Sequence, residues 1–270
     1  MNTWRKYLAT AAMAVAALAW GAKANAATIF LIGSDVISFH GDADFINPVM
    51  DQIGNYTGTP GNKVLFLSDW GASSTNYTNG NVSIDFAAAS SITSSSDLSG
   101  YAGIYIDSPS GCCSDPAPTL TGAGAGTALQ SYFAAGGNIA VGDYAGDPFW
   151  DPILGFAGGP GVTTGIGGII CEDPGVSTAS GLAFGFAASY SEGCFNHQSY
   201  DPAYFGAQGY FALQTNGNTS GGHFGDWTVI ATGFTEPGTE ETPVPEPTTL
   251  LLLGSGLLVA GRRRVIRRKH

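Results

Sequence analysis

Between residues 27 and 243 the side chains able to move a proton or act as a nucleophile are few: His40, His197, His223, a glycine-flanked Tyr144, and Cys112, Cys113, Cys171 and Cys194. Histidine is the usual general base because its ordinary pKa lies near neutrality. His40 stands in Phe39-His40-Gly41-Asp42-Ala43-Asp44, just past an apolar run. Asp35, Asp69, Asp107 and Asp143 also follow apolar runs. Carboxylates gathered in this way could ligate a hard cation such as Ca²⁺ or hydrogen-bond sugar hydroxyls. Aspartate at such junctions also serves as a helix N-cap or turn residue. Tyr144 lies in Gly142-Asp143-Tyr144-Ala145-Gly146, the glycine spacing of a nucleophile elbow. A phenol with an ordinary pKa near 10 is a poor nucleophile without an activating base. His40, Asp42, Asp44 and Tyr144 therefore form the candidate ligand site, and no residue is assigned to catalysis, a cofactor or a metal. A hydrolase pairing a histidine with a strand-end aspartate is one alternative, and a Ca²⁺-crosslinked structural protein is another. Trp70, Trp150 and Trp227 could stack on sugars or fill the core.

These side chains depend on the elements that carry them. Continuous apolar runs at residues 28–32, 64–67, 104–106 and 138–141 predict buried strands, each ending in a turn residue. Phe45, Ile46, Val49, Met50 and Ile53 recur at helical spacing behind Asp42 or Asp44 as N-cap, and residues 127–135 form a second helix closed by Gly136-Gly137. Alternating strands and helices predict an α/β fold, a mostly parallel sheet with helices on both faces, whose strand carboxyl ends share one edge. The many small residues and scarce lysines also suit a β-sandwich, the alternative. Beyond residue 149 the pattern weakens, to a short helix over 150–156, a glycine-rich loop over 155–168, and late strands near 210–214 and 227–231. Residues 71–80 and 90–99 read as polar loops.

Charge removes several functions. Of 21 acids all but Glu246 lie in residues 27–243, where Lys63 is the single base, a net charge of −19. Such a surface repels phosphate backbones, so nucleic acid is excluded as a partner. A phosphate-cradling loop would lack its cation, and no G-x-x-x-x-G-K occurs. Dinucleotide, H-E-x-x-H and G-x-S-x-G motifs are missing as well, so no cofactor is expected.

The two ends read as addresses. Arg5 and Lys6 precede an apolar run and Ala24-Asn25-Ala26, the order of a secretory signal with cleavage between Ala26 and Ala27. At the other end Val244-Pro245-Glu246-Pro247 precedes a glycine-interrupted apolar stretch and then Arg262, Arg263 and Arg264. A helix from residue 248 to 261 would be roughly 21 Å long at 1.5 Å per residue, short against a hydrocarbon core of about 30 Å. Arginines behind it favour the cytoplasmic side, which places the body across the membrane. The expected division is a signal peptide at 1–26, an exported domain at 27–236, an acidic linker at 237–243, and a sorting tail with one transmembrane helix at 244–270.

Pro-Glu-Pro, the short apolar helix and the arginine cluster resemble the PEP-CTERM sorting signal that exosortases recognise. This resemblance implies transient inner-membrane anchoring, processing near the motif, and delivery to the cell surface or extracellular matrix. The partners it implies are an exosortase-type enzyme, the secretion machinery and exopolysaccharide. Over residues 28–157 the strand order, Leu129, Tyr132, Gly136-Gly137 and the turn at Tyr144 resemble the class I glutamine amidotransferase-like fold. That family carries a cysteine where this chain has Tyr144, so the resemblance implies the fold without the reaction, and a non-catalytic binding domain. Export to an oxidising compartment favours two disulfides. Adjacent cysteines bond each other only with a strained peptide, so Cys112 and Cys113 are expected to bond separately to Cys171 and Cys194, in either order.

Overall fold

The computed structural model describes residues 27–34, 37, 41–54, 62–68, 75–107, 125–142, 166–191 and 193–239. The run Ile29-Phe30-Leu31-Ile32 forms β1 (Ile29–Ile32), buried at every position. β2 (Asn62–Leu67) is buried over its last four residues, β4 (Gly103–Ile106) and β5 (Asn138–Gly142) throughout. A strand covered on both faces needs apolar residues at successive positions, and these runs supply them.

Successive side chains on a strand point to opposite faces, so each strand feeds two cores. Phe30, Ile32, Val64, Phe66 and Tyr105 enter one of them. There they meet helix α1 (Ala43–Ile53), which buries Phe45, Ile46, Val49, Met50 and Ile53 as one stripe. Ile29, Leu31, Leu65, Leu67, Ile104 and Ile106 enter the other, with Leu129 and Tyr132 of helix α2 (Ala125–Ala134). Past α2 the chain turns at Gly136, whose φ of 91° favours glycine.

The described strands make one sheet in the order β3-β2-β4-β5-β1-β11-β10-β7-β8, where β3 is Val82–Ala87, β7 Gly175–Ser177, β8 Ser189–Tyr190, β10 Phe211–Asn216 and β11 Trp227–Thr232. β9 (Asn196–Tyr200) pairs with β11 and with β6 (Ile166–Glu172). Two short helices, α3 (Ala179–Phe184) and α4 (Pro202–Gly206), complete the described elements with two 3-10 turns at Ala89–Ser91 and Ser95–Leu98.

This arrangement corrects the expected mostly parallel, amidotransferase-like or flavodoxin-like sheet. Four described pairings are parallel and six antiparallel. The β-rich alternative describes the chain better, although the strands join in one sheet rather than the two of a sandwich. The physical reason lies in β6 to β11. β9 is Asn-His-Gln-Ser-Tyr and wholly buried, and β6 begins Ile-Gly-Gly, so neither presents an apolar run.

Residues 75–81 lie along α1 and are tied to it by Tyr77. Its hydroxyl donates to Asp51 Oδ1 at 2.6 Å and accepts from the amides of Asn81 and Val82 at 2.8 and 3.0 Å. Tyr77→Phe removes all three bonds and is expected to lower unfolding stability by about 2 kcal/mol in urea. Burial, then the bond to Asp51, pushes the phenol up to about 12. The folded chain therefore holds this proton more tightly than the unfolded one, so its stabilisation is complete below about pH 10 and lost as pH rises towards 12. Tyr132, Tyr190 and Tyr210, raised chiefly by burial, act in the same direction. The urea midpoint should fall over this interval, and less in Tyr77→Phe than in the parent.

Candidate functional site

Because β1, β2, β4 and β5 run parallel, their carboxyl ends share one edge of the sheet, and β11, antiparallel to β1, begins at that edge. Polar residues that follow apolar runs are thereby brought into one line. Ser68 follows β2 and Asp107 follows β4. Both are buried, and Ser68 Oγ donates to Asp107 Oδ2 at 2.8 Å, while the Asp107 amide donates to the Leu67 carbonyl at 2.9 Å. Ser68→Ala withdraws a donor from a buried carboxylate, and a loss of about 1.5 kcal/mol in urea unfolding is expected.

β1 ends in Gly33-Ser34. The Gly33 amide donates to the Thr228 carbonyl at 2.7 Å, and the Gly33 carbonyl accepts from the amides of His197 and Gln198 at 2.8 and 3.1 Å. A Cβ at residue 33 would collide with the carbonyl oxygens of Gln198 and Thr228, so glycine is what lets β1, β9 and β11 close together. Ser34 and Asn196 oppose each other in an antiparallel bridge, which sends their side chains to the same side of the sheet. Ser34, Asn196 and Thr228 are fully buried, and among the described residues Ser34 Oγ, both polar atoms of the Asn196 amide and Thr228 Oγ1 have no hydrogen-bond partner. Among the described residues the buried amide of Gln214, whose Oε1 lies beside Gly175, shares this condition.

His223 and Asp226 occupy the turn from β10 to β11, with Nδ1 of one 3.1 Å from Oδ2 of the other. Among the described residues no hydroxyl or thiol bonds to His223, so the pair orients an imidazole without supplying a nucleophile. His197 is buried on β9. Among the described residues no group of three or more His, Cys, Asp or Glu could hold a metal ion.

Of the expected ligand site, His40 and Tyr144 lie outside the described residues, as do Asp35, Asp69 and Asp143. Asp42 caps α1, its side chain accepting from the Asp44 amide at 3.4 Å, and Asp44 is exposed in the first turn. Cys171 bonds Cys194, which corrects the expected pairing of each with Cys112 or Cys113; those two lie outside the described residues. The two cysteines brought together are 23 residues apart, Cys171 inside β6 and Cys194 just before β9, the strand that pairs with it. Ala26, the expected transmembrane helix at 248–261, Val244 to Pro247 and Arg262 to Arg264 are outside the described residues too. Among the described residues no helix is long and apolar enough to cross a membrane.

Sequence reasoning missed Ser34, Asn196 and Thr228. Ser34 follows an apolar run just as Asp107 does, and the same strand-end rule reaches it. Asn196 and Thr228 sit inside strands, where nothing local distinguishes a buried polar residue from an exposed one.

Residues 243–268 match the PEP-CTERM protein-sorting motif, and the match spans Val244, Pro245, Glu246, Pro247 and Arg262 to Arg264. The tail marks an exported protein that is sorted by exosortase. No curated protein and no solved structure matches the chain. The likeness to the amidotransferase-like fold is therefore without support, in keeping with the mixed sheet.

Proposed function

We propose that the chain is a cell-surface or extracellular-matrix protein whose domain, residues 27–236, acts by binding rather than by catalysis. The sorting motif at residues 243–268 is the observation that supports the export and surface placement in this reading. In it, the signal peptide is removed after Ala26, the apolar helix at 248–261 holds the precursor in the inner membrane, and Arg262 to Arg264 stop transfer. Exosortase then releases the body near Pro245-Glu246-Pro247. The body's net charge of −19 favours a solvated, mutually repelling surface and disfavours anionic partners. The buried polar edge at Ser34, Asn196, Ser68 and Asp107 supplies amide, hydroxyl and carboxylate groups for recognition, and exopolysaccharide is the partner this suits.

Intact-mass measurement on protein recovered from the surface of a host with exosortase tests the reading. A chain that begins at Ala27 and ends near residue 247 is expected. A 27.6 kDa chain recovered uncut from the cytosol, with reduced thiols, would overturn it.

A further inference from the structure

We propose that the carboxyl end of β1 carries a buried site for an uncharged hydroxyl ligand, held by Ser34 Oγ, the Asn196 side-chain amide and Thr228 Oγ1. The inference rests on reading the exported domain as a binder, and it names the chemistry of what that domain takes.

The first support is burial without partners. Ser34, Asn196 and Thr228 are fully buried, and among the described residues none of their side-chain polar atoms has a hydrogen-bond partner. Buried polar groups nearly always have partners, and dry ones are costly, so several orphans together call for an occupant. The second is convergence. Ser34 opposes Asn196 across a bridge, and the Gly33 amide fastens the neighbouring residue to the Thr228 carbonyl at 2.7 Å. The backbones that carry all three residues thus come together where β9 and β11 close on β1, and where the missing side chain of Gly33 makes that closure possible.

The third support is the chemistry of the groups. Two hydroxyls and one amide each donate and accept, and none carries charge. A ligand that also donates and accepts, such as a hydroxyl, satisfies them. An anion would need a cation, yet Lys63 is the single base in residues 27–243, lies at the opposite end of β2, and is paired with Asp85 at 3.1 Å. A hydroxyl here has two sources, an internal water molecule or a ring hydroxyl of a neutral sugar.

The test uses the processed protein as recovered from its host. Thr228→Val and Ser34→Ala delete hydroxyls with little change of shape. If those hydroxyls bind nothing, each deletion raises Tm by about 2–4 °C, because an unpaired buried group is removed; if they hold a ligand, Tm falls by a similar amount. We expect the fall in both variants, each checked for native far-ultraviolet dichroism, so that one poorly folding variant leaves the other to decide. Glucose, galactose and mannose are then titrated against the parent and Asn196→Leu. A rise in Tm seen in the parent alone assigns the sugar, since a ligand that binds only the folded state stabilises it. No rise, with a solvent oxygen within hydrogen-bond distance of Ser34 and Asn196 by high-resolution diffraction, assigns water. A higher Tm in both deletion variants overturns the proposal. Processing of the tail is read separately by mass, so failure of the export reading and failure of this site are distinguishable.

Discussion

Alanine at Pro245, Glu246 and Pro247 together is expected to leave the chain uncut and membrane-bound, with the processed form at background. Proline fixes φ, has no amide hydrogen and disfavours helical backbone at the residue before it, so a Pro-Glu-Pro sequence opposes helix formation. Alanine does the reverse. It favours helical backbone and deletes the Glu246 carboxylate at the same time. The match over residues 243–268 places these three residues within the sorting motif. They lie beyond Thr239, the last described residue, so the sheet has no reason to change. Cell fractionation with an antibody against the body, together with intact mass, separates precursor from product. Product at the parental level from the triple variant would rule out this role for the motif.

Removing the Cys171–Cys194 bond, as Cys171→Ser with Cys194→Ser, is expected to lower stability by about 3 kcal/mol. The bond closes a segment with a sequence separation of 23, and the chain-entropy relation for a loop of this size gives that magnitude. What the closed segment positions explains why the loss should be felt in the core. Asp173, two residues past Cys171, accepts from the amides of Cys194 and Phe195 at 2.7 and 2.8 Å. Phe195 is fully buried, stacks on Tyr190 at 5.3 Å and meets Phe45 of α1 edge-on at 6.4 Å. Cys171 and Cys194 both hold left-handed backbone, with φ of 60° and 70°, a conformation non-glycine residues adopt rarely and one that the corner must impose. Serine there keeps the unfavourable backbone and loses the crosslink. Urea unfolding of parent and double variant measures the difference, which should appear in thermal melts as a Tm lower by roughly 6–12 °C. A loss below about 1 kcal/mol would show that the crosslink does little to restrict the unfolded chain.

Several features were legible without coordinates, and each for a local reason. β1, β2, β4 and β5 announce themselves because a strand buried on both faces must be apolar at successive positions. α1 and its Asp42 cap follow from helical spacing and from the unpaired amides at a helix start. What went unseen was set by non-local pairing. β9 carries no apolar run and no strand is expected there, and its burial depends on β11 and β6 pairing with it. β3, at the end of the sheet beside β2, is partly exposed and carries Asp85. Asp42 and Asp44 lie at the start of α1, where Asp42 accepts from the Asp44 amide and Asp44 is exposed.

By itself, then, the order of residues determined the sorting tail of this protein and the acidic, single-lysine body that precedes it. Those properties reside in contiguous stretches, which a membrane or a processing enzyme meets as linear chain. Only the tertiary structure decided that six pairings run antiparallel, that Cys171 meets Cys194, and that Ser34, Asn196 and Thr228 gather where β1 ends. Each of those outcomes joins residues far apart in the chain, and the free energy that selects them comes from burying whole strands at once rather than from any segment's own preference.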